Sequence, residues 1–216
     1  MTVHLFDVDY TLIRKSTAHY FLSEGLREGV FSFRQFKQLP FEWLRYKLGR
    51  ANHDFIEQAV AHLAGIERSA IDRLAQSCFE RKLKDNVYAE GLALIRDIHN
   101  QGEPALLATS SFYSLVQPLE RFLGLGESLA SHLEFADGKT TGRIQGKVLF
   151  GQNKKEAVEA WVTARGILPA NVRFYSDSYT DLSTLKFCGQ PVAVNPDRFL
   201  AREAKRRGWE ILWWGN

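Results

Sequence analysis

The chain has 216 residues, 45% of them hydrophobic and 25% charged, with a formal net charge of +3. That is ordinary globular material, long enough for one α/β domain carrying one sizeable insertion. The charge is too mild to point to nucleic acid, no run of about 18 apolar residues offers stable membrane insertion, and acids interrupt the first apolar stretch where a leader would continue. Its two cysteines, Cys78 and Cys188, form no CxxC pair and fit a reducing cytoplasmic setting better than a disulfide framework. Oligomeric state is left open.

The first segment, Val3-His4-Leu5-Phe6-Asp7-Val8-Asp9-Tyr10-Thr11, reads as an apolar strand running into two acids. Acids are poor strand residues and costly to bury. Residues two apart on a strand share a face, so Asp7 and Asp9 are expected to point into one small volume at the strand's C-terminal end. Two like charges so close call for a cation, a shared proton, or both. Residues 14–84 then read as wholly helical, with patterns over 16–27, 33–48, 53–64 and 69–84 punctuated by Ser16, Gly29, Ser32, Gly49, Gly65 and Ser69. This predicts a helical insertion that covers the carboxylates; the competing reading is a run of ordinary packing helices. Its 31–48 stretch interleaves Phe31, Phe33, Phe36, Phe41, Trp43 and Tyr46 with Arg34, Lys37, Arg45 and Lys47. It reads first as an apolar core with a basic outer face, and second as a surface suited to a lipid headgroup boundary.

Beyond residue 85 strand and helix alternate. Strands are predicted over 104–109, 172–176, 190–194 and 210–214, and helices over 90–100, 115–123, 154–165 and 199–207. The stretch 133–144 alternates about Asp137-Gly138, a hairpin signal. The predicted fold class is therefore α/β: a Rossmann-like, mostly parallel sheet core from residues 1–13 and 85–216, with an inserted all-helical cap domain over 14–84 and a β-hairpin. The basic run Lys205-Arg206-Arg207 reads as a solvated helix end.

Ligands of open α/β sheets sit beyond the carboxyl ends of the strands. There the chain places Asp7, Asp9 and Thr11, then Thr109, Ser110 and Ser111, then Asp177, Ser178 and Asp181, with Lys154 opening the helix after the hairpin. Carboxylates at that density suit Mg²⁺, a hard cation with oxygen ligands. Hydroxyl and lysine donors suit phosphate oxygens. Asp177, Ser178 or Asp181 could instead cap the helix leading to Leu185; the presence of Asp7 and Asp9 favours the site. The six histidines (His4, His19, His53, His62, His99 and His132) show no paired ligand spacing and read as structural or surface residues.

Phe6-Asp7-Val8-Asp9-Tyr10-Thr11 resembles the DxDxT signature of haloacid-dehalogenase-like phosphatases. Leu106-Leu107-Ala108-Thr109 resembles their second motif, Lys154 the third-motif lysine, and Tyr175-Ser176-Asp177-Ser178-Tyr179-Thr180-Asp181-Leu182 the fourth. Order and spacing agree along the chain. The nearest likeness is to the phosphoserine-phosphatase-like branch, subfamily IB, with a helical cap between the first two motifs. Val194-Asn195-Pro196-Asp197 and Arg207-Gly208-Trp209 are similar to that branch as well. The context Gly151-Gln152-Asn153-Lys154, with Gly166-Ile167 downstream, favours Lys154 over Lys155.

The resemblance implies an Mg²⁺-dependent phosphomonoester hydrolase that acts through an aspartyl-phosphate on a small phosphorylated metabolite. Asp7 would be the nucleophile and Asp9 the acid and base. Asp7, the Asp9 carbonyl and Asp177 would hold the metal. Thr109, Ser110 and Lys154 would bind phosphate, with Asp181, Ser178 and Thr11 in support. The second aspartate favours phosphoryl transfer over dehalogenation, because a leaving alkoxide needs a proton. One position departs from the branch. Its phosphoserine phosphatases carry a cap glutamate nine positions after the nucleophile, which meets the substrate ammonium; here that position is Ser16, after Arg14 and Lys15. L-Phosphoserine is therefore expected to be a poor substrate, and an uncharged or more anionic ester a better one, with a lipid phosphate as the outside case. Alternatives are a phosphoserine phosphatase proper, drawing a carboxylate from Glu24 or Glu42, and a phosphotransferase or mutase.

Overall fold

A computed structural model describes residues 1–32 and 54–215. The helix predicted over 33–48, Glu42 and most of the aromatic and basic stretch lie outside the described residues. Seven strands form one sheet: β1 (Val3–Phe6), β2 (Ala105–Phe112), β3 (Ser128–Ala136), β4 (Lys139–Gln145), β5 (Val172–Ser176), β6 (Gln190–Val194) and β7 (Glu210–Leu212). Their order is β4-β3-β2-β1-β5-β6-β7, and every neighbouring pair is parallel except the β3–β4 hairpin. β1 lies between β2 and β5, so strand order reverses there and a crevice opens at its carboxyl end.

The described helices are α1 (Thr17–Arg27), α2 (Asp54–Ala61), α3 (Arg68–Cys78), α4 (Ala89–Asn100), α5 (Tyr113–Phe122), α6 (Gln152–Ala164), α7 (Leu182–Phe187) and α8 (Arg198–Arg207). A parallel strand in the middle of such a sheet is buried on both faces, as β1 is, with His4 its one polar side chain. Val3 and Leu5 pack with Phe174, Val158 and Val162 of α6, and Leu200 of α8. Phe6 faces the other way, stacked on Tyr175 with ring centroids 4.3 Å apart, in a core shared with α4, α5 and the described helices of the insertion. Ile71 and Leu74 of α3 are fully buried in that core, and removing such a leucine side chain costs about 2–5 kcal/mol. Cys78 and Cys188 are buried free thiols, and among the described residues no helix is long and apolar enough to cross a membrane.

Several element boundaries differ from the sequence reading. The helix predicted over 69–84 is α-helical only over Arg68–Cys78 and continues as a π turn over Phe79–Leu83 and a 3-10 turn over Lys84–Asn86, and the helix predicted over 53–64 closes at Ala61. β1 ends at Phe6 and does not run to Thr11, because the chain turns there: the Val8 carbonyl accepts from the N–H groups of Thr11, Leu12 and Ile13 at 3.3, 3.0 and 3.1 Å, and Tyr10 adopts φ +59°. A tight loop, not the pleat of a strand, sets the directions of Asp7 and Asp9. β2 begins after Pro104 and continues to Phe112, with a register shift against β3 between Ala108 and Phe112. Such bulges re-aim side chains next to functional sites. β7 stops at Leu212.

The hairpin turns at Asp137 and Gly138, with φ +48° and +77°, the left-handed pair that a two-residue turn of this kind requires. Its arms are longer than predicted because β3 also extends the parallel sheet. The hairpin holds the insertion by backbone hydrogen bonds: Gly65 N–H to the Thr140 carbonyl at 2.7 Å, Thr140 N–H to Ile66 at 2.9 Å, and Arg68 N–H to Gly138 at 2.8 Å. Glycine is needed at 142, where φ is +76° and a Cβ would meet the Ala64 Cβ at 2.9 Å and the Ala61 carbonyl at 3.0 Å.

Candidate active site

Asp7 is the first residue past β1. Its N–H donates to the Tyr175 carbonyl at 2.9 Å, so the sheet ladder fixes its backbone although the strand has ended. Its buried carboxylate accepts at Oδ1 from Lys154 Nζ at 2.8 Å. Lys154 stands in the first turn of α6 and donates a second bond, 2.7 Å long, to Asp181 Oδ2, which also accepts from Ser176 Oγ at 2.8 Å. Asp181 occupies the N-cap position of α7 without capping it; its carboxylate is engaged by Lys154 and Ser176. Lys155 instead pairs with Glu159 at 2.6 Å, so of the two lysines Lys154 enters the site.

Asp177 follows β5. Its N–H donates to Thr11 Oγ1 at 3.0 Å, and that hydroxyl donates to Asp177 Oδ1 at 3.3 Å. Ser178 has a local role: its Oγ accepts from the Thr180 N–H and caps the short turn Tyr179–Asp181. On β2, buried Thr109 accepts at Oγ1 from the Ser111 N–H at 3.2 Å, inside the shifted register. Half-buried Ser110 is held by its carbonyl, which accepts from Ser131 Oγ at 3.0 Å.

Asp9 is held from elsewhere. Oδ2 accepts from Ser16 Oγ at 2.9 Å and Oδ1 from the Thr17 N–H at 2.8 Å. Thr17, fully buried, is 2.6 Å from Ser111 Oγ through its own hydroxyl. Ser16 sits at the N-cap position of α1, yet its side chain turns to Asp9 and does not cap the helix. The roles of Ser16, Thr17, Ser111 and Ser176 in holding this cluster escape the sequence reading. Ser176 lies inside a quoted motif, but nothing in its spacing identifies its bond to Asp181.

The electrostatics share one cause. Burial pushes the Asp7 carboxyl up to about 7; Lys154 opposes the shift, while Asp181 and Asp9 add to it. Burial also raises Asp9, against the donors Thr17 and Ser16. Asp177 is raised well above the usual carboxylate range, first by burial and then by Asp7, Asp181 and Asp9. Burial alone would depress Lys154, but Asp181 and Asp7 outweigh it and hold the ammonium charged. Asp7, Asp9, Asp177 and Asp181 thus face one lysine, an excess of negative charge that a bound cation relieves. Among the described residues no three acidic, histidine or cysteine side chains form a ready-made cage. Mg²⁺ fits that donor set, because it is usually bound by one or two carboxylates with waters and substrate phosphate completing its shell.

The family of haloacid dehalogenase-like hydrolases matches the chain over residues 4–186. The chain belongs to this family. It is a phosphatase of the family, a phosphoric monoester hydrolase, and both sequence and structural relatives bear out its likeness to the phosphoserine-phosphatase-like branch. It is 30% identical over 216 residues to the inhibition of morphological differentiation protein of Streptomyces azureus, covering 98% of this chain and 78% of that protein. It is 30% identical over 212 residues to a phosphoserine phosphatase of Mycobacterium tuberculosis, covering 95% and 68%. With the histidinol-phosphatase of Neisseria meningitidis it shares 26% identity over 214 residues, 96% of each chain. Among solved structures, a Bordetella pertussis protein of unknown function superimposes with a TM-score of 0.86 at 24% identity, covering 97% of both chains. A phospho-aspartyl intermediate analogue of phosphoserine phosphatase gives 0.70 at 23%, covering 98% and 92%. These two show the shared fold.

Proposed function

We propose that this hydrolase is an Mg²⁺-dependent phosphomonoesterase that works through an aspartyl-phosphate on Asp7 and prefers small phosphate esters without an ammonium group. One observation carries the reading: Asp7 is locked to Lys154, which Asp181 holds from its other side, while Asp9 is held separately beside Asp7 by the start of α1. Asp7, one oxygen anchored on Lys154, attacks phosphorus with the other. The bond from phosphorus to the ester oxygen breaks, and Asp9 delivers its proton to the leaving alcohol. Asp9 then takes a proton from water, which attacks the aspartyl-phosphate and releases Asp7 and inorganic phosphate. The raised pKa of Asp9 suits a group that must donate a proton near neutrality. Lys154 and Thr109 hold the phosphoryl oxygens as charge shifts. Asp7, the Asp9 carbonyl and Asp177 would hold Mg²⁺, whose charge would offset repulsion between carboxylate and phosphate dianion. Residues 14–84 serve as the cap over a core of residues 1–13 and 85–216.

The substrate preference rests on the position nine residues past Asp7. Ser16 offers no carboxylate there, and its hydroxyl is engaged by Asp9. Glu24, a second source of a carboxylate, is 2% exposed and taken up by Arg27, Arg81 and Lys82 at 2.7, 3.4 and 4.0 Å. Arg14 lies over the Tyr88 ring at 4.7 Å, so the preference rests on the absent carboxylate and not on repulsion by Arg14. The 30% identity to a phosphoserine phosphatase supports the second reading, hydrolysis of phosphoserine itself. The deciding assay compares kcat/KM for L-phosphoserine and histidinol phosphate with sugar, polyol and lipid phosphates, with Mg²⁺ or a chelator, and with an acceptor alcohol to detect phosphotransfer. Activity should vanish with the chelator, and phosphoserine and histidinol phosphate, which both carry an ammonium, should trail the best ester without one by at least about tenfold, about 1.4 kcal/mol at the transition state. Phosphoserine leading by that margin reverses the preference.

A further inference from the structure

The turn that carries Asp177 leaves two backbone groups for an outside partner. Along it, the Asp177 N–H is taken by Thr11, the Ser178 N–H by Ser176 Oγ at 3.2 Å, the Thr180 N–H by Ser178 Oγ at 3.3 Å, and the Asp181 N–H by the Ser178 carbonyl at 3.1 Å. The Asp177 carbonyl and the Tyr179 N–H are both met by one residue of the neighbouring β6–α8 loop. The Asp197 N–H donates to the Asp177 carbonyl at 2.8 Å, and Asp197 Oδ2 accepts from the Tyr179 N–H at 2.7 Å. Its other oxygen, Oδ1, caps α8 by accepting from Phe199 and Leu200 N–H at 2.8 and 2.9 Å. The loop behind it is braced: Asn195 adopts φ +43°, donates its N–H to the Leu212 carbonyl at 2.9 Å, and accepts at Oδ1 from Trp214 N–H at 2.8 Å.

We infer that Asp197 is a positioning residue for Asp177: it clasps the 177–179 turn on both sides and presets the carboxylate proposed to hold the metal. The inference rests on that metal reading. A plain helix cap needs one oxygen, which Oδ1 supplies; the second oxygen and the backbone N–H both grip the turn. Groups that orient metal ligands typically change metal affinity by about 10–100-fold when removed.

Asp197→Ser separates the two roles. Serine caps a helix about as well as aspartate but has no second oxygen to reach Tyr179. The measurement is Mn²⁺ binding to the substrate-free protein by electron paramagnetic resonance, beside a thermal melt. Asp177→Ala and Ala201→Gly, which weakens α8 without touching the turn, serve as references. Asp197→Ser should bind Mn²⁺ roughly tenfold or more weakly, while Ala201→Gly binds as the wild type does. The Mg²⁺ activation constant should rise with it, and KM for the ester at saturating Mg²⁺ should hold. Wild-type Mn²⁺ affinity in Asp197→Ser, or an equal loss in Ala201→Gly, overturns the clasp and leaves Asp197 a helix cap. If the wild type fails to bind Mn²⁺, or Asp177→Ala binds it unchanged, the metal reading falls and the clasp falls with it.

Discussion

Asp7 and Asp9 stand two residues apart, yet different parts of the molecule hold them. Asp7 is fixed by the sheet and its following helices, through the Tyr175 carbonyl, Lys154 and, behind Lys154, Asp181 and Ser176. Asp9 is fixed by the first residues of the insertion, Ser16 and Thr17. One short motif is thus read by two structural regions. The core sets the carboxylate proposed to attack, and the first residues of the insertion set the one proposed to move the proton, so the two can be perturbed separately.

The largest expected effect breaks the core side. Asp7→Asn should lower turnover by roughly 10⁴-fold or more while the thermal melt shows a folded protein. Substantial residual turnover would remove Asp7 as the nucleophile. On the other side, Asp9→Asn should slow turnover by roughly 10²–10⁴-fold, with a smaller loss in single-turnover phosphorylation by an ester with a very good leaving group. Equal losses for good and poor leaving groups would make Asp9 structural. The comparison sharpens with two serines. Ser16→Ala should reduce kcat roughly tenfold for poor leaving groups, spare good ones and leave KM alone, since one hydrogen bond to a charged group is worth about 1.5–3 kcal/mol. Ser176→Ala, acting through Asp181 and Lys154, should lower the rate for both kinds alike. If Ser16→Ala shows no leaving-group dependence, the division between the regions fails.

The smallest effect lies at the opposite end of the sheet. His4 is buried, with Nε2 2.8 Å from Glu103 Oε2 and Nδ1 3.1 Å from the Tyr175 hydroxyl. Burial pushes its pKa below the ordinary 6.5, aided by Arg173 and outweighing the pull of Glu103. The unfolded chain therefore binds more protons than the folded one below about pH 6.5, and stability falls as pH drops from there toward the folded pKa. Chemical denaturation at stepped pH should show that loss in the wild type and less of it in His4→Gln, with both proteins parallel above pH 7. Equal slopes would remove His4 as the cause.

Much of this arrangement was legible because it depends on short-range pattern. β5 and β6 are buried apolar runs ending in acid or turn residues, and Asp137-Gly138 has the backbone freedom that its turn needs. Asp7, Lys154, Asp177 and Asp181 could be collected because they stand at element ends on one edge of an α/β sheet. What escaped depends on three-dimensional turns. β2 was read too short because Ser110 and Ser111 look like loop residues, whereas the shifted register keeps them in the strand. Ser16 had the signature of a helix cap, but the loop around Tyr10 brings Asp9 within its reach. The backbone N–H of Thr17 holds Asp9, and no side-chain pattern encodes that bond.

For anyone recombining such chains, residues 14–84 are the wrong unit to transplant alone. The backbone groups of Gly65, Ile66 and Arg68 are paired with those of Thr140 and Gly138, and the bare Gly142 leaves room for Ala61 and Ala64. A donor insertion placed against a foreign hairpin loses those pairings and meets a side chain wherever residue 142 is not glycine. Crossovers should therefore carry β3 and β4 with the insertion, so that two stretches far apart along the chain travel as one exchangeable part.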